Sequence, residues 1–369
     1  MKKFLLVLFG ITLIGCQEQS QDTIDETSGT NTDVNKERPK NIILLIGDGM
    51  GLSQVSAAQF YKEGTPSFER FPVVGLSKTS SSDQLITDSA AGATAFASGV
   101  KTYNGAVGMN RDSISVPTIL EQMSEQGYHS GVIATSSITH ATPAAFYAHV
   151  KRRGQAEDIA SQMPASGVDF FAGGGLQYFN HRSDGADLIQ ELVDSGFAVD
   201  TTSIETQLTA EKQAYLLAAD GMPRMLDGRG DFLPKATAKA IEQLNSGDKG
   251  FFLMVEGSQI DWGGHANETD YLVSELLDFD QVIDQVLDFA EKDGQTLVIV
   301  TADHETGGFT LSDLDGDYNQ VNGTYSTGGH SATMVPVFAY GPGSESFGGT
   351  YPNNEIYFKM VRAIGLVVD

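Results

Sequence analysis

Asn41-Ile42-Ile43-Leu44-Leu45-Ile46-Gly47-Asp48-Gly49 is an unbroken aliphatic run that stops at a glycine-flanked acid. A short apolar run bounded by turn residues predicts a strand covered on both faces, as in a parallel sheet. Similar runs predict strands at Val73 to Thr79, Gly131 to Ala134, Asp169 to Phe171, Ala214 to Ala218, Phe251 to Val255, Thr296 to Thr301 and Val335 to Ala339. Between them lie helical patterns at Ser89 to Ser98, Val116 to Gln126, Ala144 to Arg153, Ala236 to Asn245 and Glu268 to Glu291. Alternation of this kind predicts an α/β domain around a largely parallel sheet. In the last helix Leu272, Leu276, Leu277, Val282, Val286 and Phe289 recur at helical spacing and read as core packing. Residues 154–245 are less regular, and an insertion over the sheet is expected there.

Ligands of open α/β sheets gather at the carboxyl ends of strands. The first strand runs into Asp48, Phe251 to Val255 runs into Glu256 and then Asp261 and His265, and Thr296 to Thr301 runs into Asp303-His304. His330 precedes the strand at Val335. Carboxylates and imidazoles converging on one sheet edge have the chemistry of a site for several divalent ions. Each piece alone is weak, since a single Asp after a strand is more often a turn or cap residue. Asp261 and His265 have the i, i+4 spacing of one helical face, but Gly263-Gly264 between them argues against a regular helix. Asp313-Leu314-Asp315-Gly316-Asp317 lacks the terminal Glu of a calcium loop and reads as a solvated turn.

The segment Thr87-Asp88-Ser89-Ala90-Ala91 opens a helix, and read alone Asp88 or Ser89 is its cap. A serine at a helix N-terminus also sits where anions bind and an alkoxide is favoured. It is a poor nucleophile until a base or metal activates it. No histidine lies nearby in sequence, so metal activation is the natural partner.

With these pieces in place the sequence resembles the alkaline phosphatases from about Asn41 to the C-terminus. The Asp48 strand end, Thr87-Asp88-Ser89-Ala90-Ala91, His140-Ala141-Thr142-Pro143-Ala144, Glu256-Gly257 with Asp261 and His265, Thr301-Ala302-Asp303-His304 and Gly329-His330-Ser331 occur in family order. The resemblance implies a three-layer α/β/α sandwich with a small crown-like inserted region, and hydrolysis of small phosphate monoesters. It implies that Asp261, His265 and His330 hold one zinc ion, and that Asp48, Asp303, His304 and the Ser89 oxygen hold a second. Asp48 would bridge to a third ion, magnesium or zinc, completed by Thr142 and Glu256. Ser89 would attack phosphorus to give a phosphoseryl enzyme that water then hydrolyses. Arg153 matches the arginine that clamps the phosphoryl group; Arg152 leaves that alignment open by one position, and Tyr147-Ala148-His149 favours Arg153. Where the family commonly has Asp or His, and Lys or His, this chain has His140 and Trp262. Trp262 has no cation to offer, and packing is its alternative role. His140 stands open between ligand, a group behind the ligands and a core histidine. Family members are usually homodimers.

Composition narrows the partners. Against 48 acidic residues stand 23 basic ones, a formal charge of -25 that repels polyanions and excludes a nucleic-acid surface. Met1-Lys2-Lys3 precedes an apolar run from Phe4 to Ile14, the pattern of an export signal and short of the roughly 20 residues a membrane span needs. Leu13-Ile14-Gly15-Cys16 resembles a bacterial lipobox, whose cysteine is acylated. Residues 1–16 are therefore expected to be a lipoprotein signal, 17–40 a polar tether and 41–369 the catalytic domain of an exported protein, anchored to a membrane and facing the periplasm or cell exterior. Cys16 is the sole cysteine, which excludes intramolecular disulfides and cysteine metal sites. Two rival readings are a related phosphodiesterase or sulfatase and a lipoprotein that binds phosphate or metal without turnover. The Ser89 segment lacks the Pro and Arg of a sulfatase modification motif, Thr142 and Glu256 favour monoesters over diesters, and Ser89 in its full motif favours turnover.

Overall fold

The computed structural model describes residues 38–367. Cys16, the signal segment and all but the last residues of the tether lie outside the described residues. The strands are β1 (Asn41–Gly47), β2 (Val73–Lys78), β3 (His129–Ser137), β4 (Phe170–Gly174), β5 (Phe197–Asp200), β6 (Lys212–Leu216), β7 (Phe251–Gly257), β8 (Thr296–Thr301), β9 (Glu305–Thr306), β10 (Thr310–Leu314), β11 (Asp317–Thr324), β12 (His330–Ser331), β13 (Val335–Tyr340) and β14 (Gly349–Pro352). Ten of them form one sheet in the order β14-β2-β13-β8-β1-β7-β3-β4-β6-β5. Every pairing in it is parallel except those of β13 with β8 and β2.

β1 is buried throughout and feeds two cores. Ile42, Leu44 and Ile46 join Ala93, Phe96, Leu120 and Ile356 on one face, while Ile43 and Leu45 join Val55, Leu233, Leu276 and Val286 on the other. Helices therefore cover both faces, and the three-layer α/β/α arrangement expected from the sequence is the observed one.

Several local expectations are corrected. Residues 154–245 do not simply lie over the sheet: β4, β5 and β6 extend one side of it. The helix expected over Ala144 to Arg153 is instead a four-residue turn of helix, Ala141–Ala144. The Phe146 carbonyl accepts from Thr118 Oγ1 at 2.7 Å, and Val150 pairs with Val107, so the chain leaves the helical path, and Arg153 beyond it bonds to Asp88. The helix expected at Val116 to Gln126 spans Ile119–Glu125, set by a Thr118/Glu121 capping box. Asp261 and His265 do share a regular helix, Gln259–Ala266. A Cβ on Gly263 would stand 2.6 Å from the Leu272 backbone, so the glycine cost in helix propensity is offset by close contact with the long helix Thr269–Asp293. The acidic stretch at 313–317 is the tip of the β10–β11 hairpin, as the solvated-turn reading expected.

Candidate active site

Sheet order explains why residues distant in sequence meet. β8, β1, β7 and β3 are adjacent and parallel, so Glu256 near the end of β7 and the segments that follow the other three, bearing Asp303-His304, Asp48 and His140, emerge at one edge. β13 runs the other way, which brings its start, and His330 just before it, to that same edge. β12 then pairs with β9 and sets His330 opposite Thr306.

Among the described residues, three groups of acids and imidazoles have ligand atoms close enough to share an ion: Asp261, His265 and His330; Asp48, Asp303 and His304; and Asp48, His140 and Glu256. In the first, Nε2 of His265 and of His330 are 3.1 Å apart, and Asp261 Oδ1 lies 3.4 and 3.6 Å from them. In the second, His304 Nε2 stands 3.4 Å from Asp48 Oδ1 and 3.3 Å from Asp303 Oδ2. Each histidine has its other ring nitrogen tied down: His265 Nδ1 to the Gly328 carbonyl (2.8 Å), His330 Nδ1 to the Thr87 carbonyl (2.8 Å) and His304 Nδ1 to Thr306 Oγ1 (3.1 Å). These bonds leave Nε2 as the free lone pair of each ring, the arrangement of metal-ligating histidines. The first group is the open one, with His265 41% exposed, whereas Asp48, Asp303, His304 and Glu256 are fully buried.

Ser89 is the first residue of its helix, and its Oγ lies 3.2 Å from His304 Nε2, inside the second group. Asp88 caps that helix, accepting from Ala91 N–H with Oδ1, and holds Arg153 Nη1 at 3.2 Å with Oδ2. Arg153 Nη2 is 3.0 Å from His140 Nε2. Arg153 is thus the guanidinium bonded to Asp88, the residue before Ser89, and Arg152 is exposed. His140 belongs to the third group, with Nδ1 buried and unpartnered. Trp262 meets the His140 ring edge-on at 6.1 Å and packs over Gly221, so it is a wall of the site and holds no ligand atom in it. Thr142 Oγ1 is also buried without a partner.

The electrostatics are those of a cluster short of positive charge. Burial and the neighbouring charges of Asp303, Asp261 and Glu256 hold the Asp48 carboxyl well above its usual range. Burial pushes Glu256 up to about 7, and Asp303 is raised by burial too. Burial, with Arg153 close to one ring and His330 to the other, drives His140 and His304 down to about 3, so both are neutral donors of lone pairs.

Sequence reading missed Thr306, whose Oγ1 donates to Asp261 Oδ1 at 2.5 Å while contacting His304 and so ties the first group to the second. It also missed Asp88 as the anchor of Arg153. Neither role has a signal in the chain, because each depends on pairing and loop geometry across more than 40 residues.

The sequence profile described as alkaline phosphatase matches residues 39–324. The chain belongs to the alkaline phosphatase family. Alkaline phosphatase 3 of Bacillus subtilis (strain 168) is 33% identical, over 99% of this chain and 98% of its own. The alkaline phosphatase of Escherichia coli (strain K12) is 32% identical, over 93% and 90%. Among solved structures, the alkaline phosphatase of the Antarctic bacterium TAB5 superposes with a TM-score of 0.88 at 52% identity, over 90% of this chain and 99% of that one. A variant of the TAB5 alkaline phosphatase with a histidine replaced by aspartate has Mg bound in its M3 site; it superposes with a TM-score of 0.87 at 52% identity, over the same shares of the two chains. The fold and enzyme class expected from the sequence, those of an alkaline phosphatase, are borne out by these relatives.

Proposed function

We propose that this chain hydrolyses small phosphate monoesters through a phosphorylated Ser89, beside two zinc ions and one magnesium. The observation that carries the reading is the placement of Ser89 Oγ at a helix N-terminus, 3.2 Å from His304 Nε2 and on the side of the site where Asp88 holds Arg153.

The side chains fit the ions. Asp48 Oδ1 and Oδ2, Asp303 Oδ2, Glu256 Oε1, Thr142 Oγ1 and His140 Nδ1 are all buried without hydrogen-bond partners, a concentration of unsatisfied donors of electron pairs that cations would relieve. Asp261, His265 and His330 would hold one zinc; Asp48, Asp303 and His304, with the Ser89 oxygen, the other. Asp48, Thr142 and Glu256, with His140 at hand, would hold magnesium, an ion that takes oxygen ligands and that the related TAB5 variant carries in its M3 site. When bound, the ions supply the positive charge that makes a serine hydroxyl nucleophilic at ordinary pH and stabilises the departing oxygen.

The remaining chemistry belongs to the chain. Arg153 spans two phosphoryl oxygens with its planar fork, and Asp88 holds that fork in register with Ser89. Ser89 Oγ bonds to phosphorus as the bond from phosphorus to the leaving alcohol oxygen breaks, in line. A water then attacks the phosphoserine from the side the alcohol left, the Ser89–phosphorus bond breaks, and inorganic phosphate is released. The open side of the site, at His265, gives both alcohol and phosphate a way out.

Replacing Ser89 with Ala tests this directly: p-nitrophenyl phosphate hydrolysis should fall by orders of magnitude, and undiminished turnover would sink the mechanism. Elemental analysis should find two zinc ions per active chain; fewer than one rules out the zinc assignment. We also propose that Cys16 is acylated and anchors an exported protein, for which an unmodified mature N-terminus in mass spectrometry is the contrary result. The active species is proposed to be a homodimer by family resemblance, which sedimentation of the purified protein would contradict by returning a monomer.

A further inference from the structure

Glu256 is the last residue but one of β7, and its two carboxylate oxygens are in different circumstances. Oε2 accepts from Ser258 Oγ at 2.5 Å and has Ser136 Oγ at 3.3 Å, whereas Oε1 is buried with no partner. Ser258 is itself fixed from both sides. Its Oγ accepts from the Ser136 backbone N–H at 2.9 Å, and its own N–H donates to Thr135 Oγ1 at 2.9 Å. All these groups are buried, and the register of β3 against β7, with Ala134 opposite Glu256, puts them side by side.

A pair of serines that merely satisfied a buried acid would be expected to serve both oxygens, since an orphaned carboxylate oxygen is costly. Here they serve only one. Glu256 belongs to the group formed with Asp48 and His140, where Asp48 Oδ1 and Oδ2 and His140 Nδ1 are, like Glu256 Oε1, buried without a partner of hydrogen-bond geometry, and Thr142 stands beside the carboxylate. Ser258 has one proton, and its shortest acceptor is Glu256 Oε2; the Ser136 proton is divided between that oxygen and the Ser137 carbonyl at 3.1 Å.

We propose that Ser258, assisted by Ser136, is a positioning residue for the third divalent ion: it holds Glu256 Oε2 so that Oε1 alone faces the ion, and thereby sets magnesium affinity. This rests on the reading of that group as a magnesium site. Fixing one oxygen of a ligating carboxylate restricts it to single-oxygen coordination, which suits the compact octahedral shell of magnesium. Partners behind a ligand typically change metal affinity by about 10–100-fold.

The test is calorimetric titration of Mg2+ into the zinc-loaded full chain, with zinc content measured on every sample. Ser258→Ala should raise the magnesium Kd by about tenfold or more, and Ser136→Ala by less. Ser258→Thr, which keeps the hydroxyl, should stay near the native value, and zinc content should be unchanged in all three. A native-like Kd in Ser258→Ala overturns the inference while leaving the magnesium site standing. So does a loss of zinc and magnesium together, because that marks general damage. A native protein that binds no magnesium, or that keeps its affinity in Glu256→Gln, overturns the underlying reading of the site.

Discussion

Arg153 is held from two directions, by the Asp88 carboxylate and by the His140 ring, before any substrate arrives. A lysine there would keep the charge and lose the planar fork. Arg153→Lys is therefore expected to lower kcat/KM for a phosphate monoester by about tenfold to a hundredfold, with zinc content unchanged; steady-state kinetics and elemental analysis together check it. A second residue-scale prediction concerns His149, which bonds Glu121 through Nε2 (2.8 Å) and the Gly108 carbonyl through Nδ1 (2.6 Å). Burial pushes its imidazole down, but these bonds and the Glu121 charge outweigh it and leave it above the ordinary 6.5. Burial likewise pushes Glu121 up, and His149 and Thr118 bring it below 4.5. The histidine contribution to stability is complete below 6.5 and is lost as pH rises through the higher folded value. The glutamate contribution is complete above 4.5 and is lost as pH falls through the lower folded value. The Tm difference between the native chain and His149→Gln should thus be largest between these values and shrink toward alkaline pH; a difference that grows with pH contradicts the pairing.

Among the elements, the helix Gln259–Ala266 shows how packing overrides propensity. Its paired glycines argue against a helix from sequence, yet Gly263 and Gly264 are the positions where the helix meets the Leu272 backbone and Thr306. Gly263→Ala should cost about 1–3 kcal/mol through overpacking and, by displacing Asp261 and His265, weaken zinc retention. Thermal melting and zinc release to a chelator measure the two effects. The same physics explains which elements were legible. β1, β7 and β8 are buried on both faces and therefore appear in sequence as continuous apolar runs. β5 is four residues long, mostly half-buried and set at the sheet margin, so it carries no such run. Residues 144–153 carry apolar side chains at helical intervals, but a side chain from Thr118 takes one of their carbonyls and a bridge to Val107 takes their backbone. Contacts of that kind are made across the fold and leave no local trace.

At the scale of the molecule, parallel strands gather carboxylates that no local sequence could hold together. Asp48, Asp303 and Glu256 are fully buried around one edge of the sheet, with neutral histidines between them. Their gathering at one edge was legible because strand ends and histidine-bearing turns announce themselves; Asp88, Thr306 and Ser258, which brace Arg153, Asp261 and Glu256, were not, because only the completed sheet brings them into place. The ions proposed for this cluster would tie its stability to their presence. Each ion present at a thousandfold over its Kd adds about 4 kcal/mol. Prolonged chelation should therefore lower Tm by several degrees, with recovery on returning zinc and magnesium; a melting curve indifferent to chelator would contradict ion binding at this edge.

The residue proposed to take the phosphoryl group is Ser89, through its Oγ. Mixing the metal-loaded enzyme with a phosphate monoester, quenching in acid within the first turnovers and mapping the peptides by mass spectrometry reads that step itself. The predicted result is a phosphoryl group on Ser89, in the peptide that contains Thr87-Asp88-Ser89, and nowhere else. Turnover with no phosphopeptide, or with the phosphoryl group on another residue, would contradict it.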